Sequence, residues 1–229
     1  MEEILERRRS DAAEASGGIS SEPIYAAVLG RLVADSASGD VLDFGAGAGQ
    51  FARILLETRR FARIDAVDMV NYGGKKSNGV RWIFSDINAR LPAEPESYDV
   101  VVSVEVIEHL ENPRFVAREW FRLLRPNGRL IFSTPNNESW RSIVSFVVRG
   151  HFAAFTGASY PAHITALLQQ DMIRILTEAG FRDISFSYTN DGGLPGKPAI
   201  TWQQVSCGLL KGRRYSDNVV CAATKAADK

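Results

Sequence analysis

Residues 41–51, V-L-D-F-G-A-G-A-G-Q-F, constrain the fold more than any other stretch of the chain. The first half is apolar and suited to a buried strand. Glycines then alternate with alanines, and from Phe51 apolar residues return at helical spacing, so the stretch reads strand, tight turn, helix. Gly45, Gly47 and Gly49 permit positive φ and close approach of a ligand to the backbone. The first N–H groups of the following helix have no partner within it, so they offer donors at the same place. The turn is therefore a candidate binding site, although G-x-G-x-G also occurs in ordinary strand-to-helix turns. A dinucleotide-binding turn needs G-x-G-x-x-G; here the third glycine comes one residue early and position 50 is Gln, which argues against that ligand.

The rest of the chain repeats the same rhythm. A polar helix or solvated terminus is expected over 1–15, and a second helix over 20–33 with Ser21 as its N-cap and Pro23 in its first turn. A second strand, 63–67, stops at Asp68, roughly 20 residues beyond the glycine turn, where a carboxylate can accept from two ribose hydroxyls. After a Gly- and Lys-rich loop at 71–78, a third strand, 80–84, ends in S-D-I. Asp86 there can accept from an exocyclic adenine amine while Ile87 lies against the ring, or it can be plain surface. Val100, Val101 and Val102 in succession suggest a strand buried on both faces, as in a parallel sheet. A helix at 114–124, ended by Gly128, leads to a fifth strand at 129–133. Strands alternating with helices in this way mean an α/β doubly wound sheet in one domain spanning 1–229, with ligands beyond the carboxyl ends of the strands.

Residues 136–166 interrupt that rhythm. Trp140, Ile143, Val144, Phe146, Val147 and Val148 recur at helical intervals, and Phe152, Phe155 and Tyr160 follow among Gly and Ala. The segment is expected to be a substrate lid. A core or dimer helix, or a helix resting on a membrane surface, are the alternatives. Beyond it come a helix at 169–179, a strand at 181–188, a Gly/Pro loop at 191–198, an apolar stretch at 203–210 expected to pack, and a last strand at 218–224.

Lys+Arg and Asp+Glu both number 27, so no overall field gathers nucleic acid, and a small-molecule partner is expected instead. Two cysteines are too few for a disulfide framework or a paired zinc site, which fits reduced thiols in the cytoplasm. The charged first nine residues do not read as a signal peptide, and no apolar run is long enough to span a bilayer. Monomer and homodimer both remain open.

Six motifs in order carry a resemblance. They are V-L-D-F-G-A-G-A-G (41–49), the acid Asp68, S-D-I (85–87), Y-D-V-V-V-S-V-E-V-I-E-H-L (98–110), L-L-R-P-N-G-R-L-I-F-S-T-P-N (123–136) and L-T-E-A-G-F (176–181). Together they resemble the class I S-adenosylmethionine-dependent methyltransferases over residues 20–190. The resemblance implies a seven-stranded sheet of order 3-2-1-4-5-7-6 with the last strand antiparallel. It also implies S-adenosylmethionine as cofactor: Asp43, Gly45, Ala46, Gly47 and Gly49 on the methionine and ribose side, Asp68 and Met69 at the ribose, Asp86 and Ile87 at the adenine, and Ser103, Val104 and Glu105 bordering the sulfonium. Within the class, E-V-I-E-H-L followed by S-T-P-N is similar to the small-molecule and quinone methyltransferases. The insert R-G-H-F-A-A-F (149–155) with H-I-T (163–165) looks most like members that accompany polysaccharide synthesis. The tail after residue 190 matches no motif.

Methyl transfer needs alignment of acceptor and donor and removal of a proton from the acceptor. Glu105, Glu108 and His109 stand at i, i+3 and i+4, on one face if the segment is helical. His163, near the end of the insert, is the expected general base, with Glu105 and His109 beside it. His151 reads as lid surface. The reading adopted is metal-free. Glu105, Glu108, His109 and His163 are the alternative divalent-metal set, similar to the E-x-x-E-H and distant His of the small-RNA 2′-O-methyltransferases. The expected reaction is O-methylation of a small-molecule or saccharide hydroxyl. N-methylation and nucleoside binding without turnover are the alternatives.

Overall fold

Apolar residues on successive positions of β1 (Gly39–Phe44) and β4 (Tyr98–Val104) point to opposite sides of one sheet and enter two separate cores. Val41, Val100 and Val102 join one core; Leu42, Phe44 and Val101 join the other. The first core is closed by α2 (Glu22–Ala34) and α3 (Gln50–Thr58). The second is closed by α4 (Pro113–Leu123) and α6 (Gln169–Ala179). The result is a three-layer α/β/α sandwich, seen in a computed structural model that describes residues 2–72 and 78–227. The glycine- and lysine-rich loop expected at 71–78 falls in part, at 73–77, outside the described residues.

The sheet also contains β2 (Phe61–Asp68), β3 (Val80–Phe84), β5 (Leu124–Pro135), β6 (Phe181–Tyr188) and β9 (Asn218–Lys225). Its order is β3-β2-β1-β4-β5-β9-β6, with β9 antiparallel to both neighbours, which is the expected order once β9 is counted as the seventh strand. Between them lie a two-stranded hairpin, β7 (Gly193–Leu194) with β8 (Lys197–Thr201), and the short helix α7 (Trp202–Val205). A helix α1 (Glu2–Ala15) precedes the sandwich, and α5 (Trp140–Arg149) lies in the insert.

Three local expectations are corrected. Gly128 does not end α4: the helix stops at Leu123, the chain runs directly into β5, and Asn127 rather than Gly128 takes the left-handed conformation. The loop at 191–198 forms part of the β7–β8 hairpin. Residues 203–210 are not an apolar packing segment, since Val205 and Leu209 are exposed. The stretch is held instead by Gln203, whose amide donates to the carbonyls of Leu210 and Tyr215. Within the insert, α5 turns its valines outward and buries Ser142 and Ser145, while Tyr160, Pro161, His163 and Ile164 of the same segment line a cavity at the sheet's carboxyl edge.

Candidate active site

The carboxyl ends of β1, β2 and β4 open onto a cavity of about 500 Å³. Its floor is the glycine turn. Gly45, Gly47 and Gly49 all have positive φ, as the local sequence requires. A Cβ at Gly47 would run into the Gly18 carbonyl oxygen, which already accepts from the Ala48 N–H at 2.9 Å. Asp68 braces the turn: one carboxylate oxygen accepts from the Gly47 N–H at 2.8 Å and the other from the Val70 N–H at 2.9 Å.

Asp43, Gly45, Ala46, Gly47, Asp68, Met69, Ile87 and Val104 all line this cavity. Three expected residues lie behind the lining. Gly49 caps α3 and packs on Trp82. Ser103 donates its hydroxyl to the Phe44 carbonyl at 2.9 Å, tying β4 to β1. Asp86 is engaged by the Arg9 guanidinium at 2.6 Å and by the Asn88 N–H at 2.8 Å, so Ile87 and Asn88 face the cavity beside it. Burial, reinforced by the charge of Asp68, pushes the Asp43 carboxyl up to about 7, and its Oδ2 is buried without a partner.

Sequence reasoning missed the roof. Helix α1 contributes Leu5, Arg8, Arg9, Ala12 and Ala13 to the lining, and Arg9 clamps it to Asp86 and Glu111. Tyr72 donates to the Ala13 carbonyl at 2.7 Å from the other side. Nothing local in a polar helix marks Arg9, because its partners lie more than 70 residues away. Tyr25 both lines the cavity and stacks on Phe51.

Toward β5 the cavity meets a second, polar chamber of about 330 Å³, walled by residues including Ser21, Asn137, Ser139, Arg141, Ser142, Asp191, Asp217 and Asn218. Glu105 and His163 are the residues that line both. Glu105 has φ +55 and precedes a short 3-10 turn at 107–109, so it does not share a helical face with Glu108 and His109 as expected. Its Oε2 accepts from the Asn218 amide at 2.7 Å, and burial pushes the carboxyl up to about 7.

Three other groups converge beside it. Glu108 is fully buried, with Oε2 accepting from the Thr134 hydroxyl at 3.0 Å and Oε1 without a partner; burial raises its pKa well above the usual carboxylate range. The His109 Nδ1 lies 2.9 Å from the Ala162 carbonyl, and the His163 Nδ1 lies 2.7 Å from the Ala154 carbonyl. Only an N–H can satisfy a carbonyl, so the His163 ring carries its proton on Nδ1 and leaves Nε2 with a lone pair, whereas the His109 ring meets two carbonyls, those of Ala162 and Glu105. Burial lowers both pKa values, that of His109 to about 4, which keeps the rings neutral. One ligand atom from each of Glu108, His109 and His163 lies within 4.8 Å of the others. Glu105 is not in that group.

A doubly wound α/β sheet of this order carries its cavity beyond the carboxyl ends of the strands, where ligands of this fold class bind. The chain belongs to the methyltransferase-domain family, whose model matches residues 21–185, and S-adenosylmethionine is the cofactor this membership implies. A ubiquinone biosynthesis O-methyltransferase of Pseudomonas fluorescens (strain Pf0-1) is 31% identical over 128 residues, 52% of this chain and 50% of that protein. One of Idiomarina loihiensis is 23% identical over 155 residues, 64% of this chain and 63% of that protein. The chain thus spans about half to two thirds of the curated relatives it matches. Among solved structures, an S-adenosylmethionine-dependent methyltransferase from Archaeoglobus fulgidus shares the fold with a TM-score of 0.64 at 18% identity, covering 93% of this chain and 97% of that one. Another, from Thermotoga maritima, has a TM-score of 0.63 at 18% identity and 88% coverage of both chains.

Proposed function

We propose that the chain transfers a methyl group from S-adenosylmethionine to a hydroxyl of a small polar acceptor, of saccharide type, with His163 as general base. The observation that carries this reading is the junction of two cavities at Glu105 and His163. The cavity over the glycine turn suits the cofactor: Asp68 faces its ribose side, Ile87 its adenine side, and Val104 and Glu105 its sulfonium. When bound, the cofactor supplies a methyl on a positively charged sulfur that departs as a neutral thioether. The polar chamber suits an acceptor rich in hydroxyls, since Ser, Asn, Asp and Arg side chains line it. His163, with Nδ1–H tied to Ala154, accepts the acceptor's proton on Nε2 as the oxygen attacks. Glu105, held by Asn218, orients the cofactor's cationic end, and His109 fixes the neighbouring ring edge-on, with centroids 4.8 Å apart. The names of the curated relatives support oxygen as the accepting atom. The proposal includes a reducing compartment, the cytoplasm, in which exposed Cys207 and buried Cys221 stay unpaired.

Calorimetry with S-adenosylhomocysteine and, separately, NAD tests the cofactor assignment. Binding of about micromolar strength is expected for the first and none for the second. The reverse result would end the methyl-donor reading.

One observation favours a second reading, in which a divalent cation assists. Glu108 Oε1 is buried without a partner, one ligand atom from each of Glu108, His109 and His163 lies within 4.8 Å of the others, and the Nδ1 of each imidazole is anchored to a backbone carbonyl, as in histidine metal sites. Those three residues fit a cation of the imidazole-and-carboxylate class, which would lower the pKa of an acceptor hydroxyl. Zinc or manganese should then raise the melting temperature of chelator-stripped protein, and Glu108→Gln should abolish the rise. A melting curve indifferent to both metals removes the cation.

A further inference from the structure

Helix α5 is built inside out. Its buried side chains are Ser142 and Ser145, whereas Val147 is 77% exposed and Val148 74%. At about 100° per residue, positions 140, 144, 147 and 148 fall on one face, and all four are apolar and exposed. Exposed apolar residues also mark the neighbouring segment, where Ile200, Val205 and Leu209 stand in solvent. The two pieces are joined. Helix α5 packs on β7 and on the turn at 213–215, where the Arg214 guanidinium lies 5.4 Å from the centre of the Trp140 ring and Tyr215 meets Trp202 edge-on at 5.5 Å.

Charge decides what covers this surface. The chain as a whole balances 27 cations against 27 anions, but residues 139–170 contain Arg141 and Arg149 and no carboxylate. Residues 192–216 contain Lys197, Lys211, Arg213 and Arg214, again with no carboxylate. Arg141 and Arg213 are paired to Asp217 and Glu138. Among the described residues, Arg149, Lys197, Lys211 and Arg214 have no carboxylate partner. Arg214 lies over Trp140 at one end of the valine face, and Lys197 and Lys211 stand within three residues of exposed Ile200 and Leu209, so apolar side chains beside cations without carboxylate partners match the headgroup and upper acyl layer of an anionic bilayer. A second copy meeting this face symmetrically would set cation against cation with no acid to answer them. Crossing the membrane is not at issue, because no helix among the described residues is long and apolar enough.

We propose that the outer face of α5, together with the segment 197–211, seats the protein in the plane of an anionic lipid surface. The proposal is independent of the methyl-transfer reading. Its test is co-sedimentation of the full chain with phosphatidylglycerol-containing vesicles and with pure phosphatidylcholine vesicles, alongside light scattering. The chain should be monomeric and sediment with the anionic vesicles alone. The double variant Val147→Glu/Val148→Glu should lower the bound fraction at least about tenfold, and Lys197→Ala/Lys211→Ala several-fold, more so at low salt. Melting temperature and S-adenosylhomocysteine affinity should stay unchanged in both, since these side chains contact solvent. Failure of the native chain to sediment, equal binding to neutral vesicles, or a dimer that Val147→Glu/Val148→Glu dissociates would each overturn the proposal, the last by giving the face to a second copy.

Discussion

Helices α4 and α5 carry the same kind of periodic apolar pattern and bury opposite faces. In α4 the stripe Val116, Ala117, Trp120 and Leu123 is sealed against the sheet, with Trp120 edge-on to Phe44 and tilted on Phe132. In α5 the stripe faces solvent, and two serines line the protein side, where Ser142 walls the polar chamber and accepts the Ala153 N–H at 3.1 Å. The difference teaches that amphipathic spacing states only that a helix has two unlike faces. Which face turns inward depends on what the interior holds at that place: an apolar sheet under α4, a hydrogen-bonding chamber under α5.

The comparison breaks or sharpens on four measurements. Trp120→Ala should cost about 3–5 kcal/mol in denaturant unfolding, because a fully buried indole is lost from the core. His163→Ala, at the inner end of the insert, should lower turnover about a hundredfold or more while leaving S-adenosylhomocysteine affinity intact. Full turnover in that variant would remove His163 from the chemistry and make the insert a wall only.

Asp43→Asn probes the sheet side. The buried carboxyl titrates near 7 in the fold against about 4 in the unfolded chain, so its stabilising share is present below pH 4 and is lost as pH rises through 7. The variant should therefore gain melting temperature over the native protein between about pH 5 and pH 8. A constant difference would mean that Asp43 is ionised throughout. The smallest effect is expected from Val147→Ala, within about 0.5 kcal/mol of the native protein, as for an exposed residue. A loss comparable to that of Trp120→Ala would show the outer face of α5 to be packed and end the contrast.

Much of the cavity over the glycine turn was legible from local signals. A strand, three alternating glycines and a helix start lie within about ten residues, and acid residues at strand ends follow from the register of a parallel sheet. The place of Asp68 at the end of β2 is such a case, whereas its acceptance of the Gly47 N–H was not expected. Met69 and Val104 entered only with the family resemblance, yet both line the cavity. The region around Glu105, Glu108, His109 and His163 was legible only as a list of candidates. Glu105 was expected on a helical face and instead sits in the left-handed region, held by Asn218, 113 residues further along. Arg9 on Asp86 and the polar chamber had no signal at all, since each joins segments far apart in the chain.

Alternation of apolar residues with turns and caps was enough to specify the layered α/β sandwich, because those preferences act between neighbours a few residues apart. Folding alone decided that α1 would roof the cavity, that His109, Glu108 and His163 would meet, and that α5 would show valines to solvent. Each of these depends on which distant groups compete for the same buried space and hydrogen bonds, and only the assembled core resolves that competition.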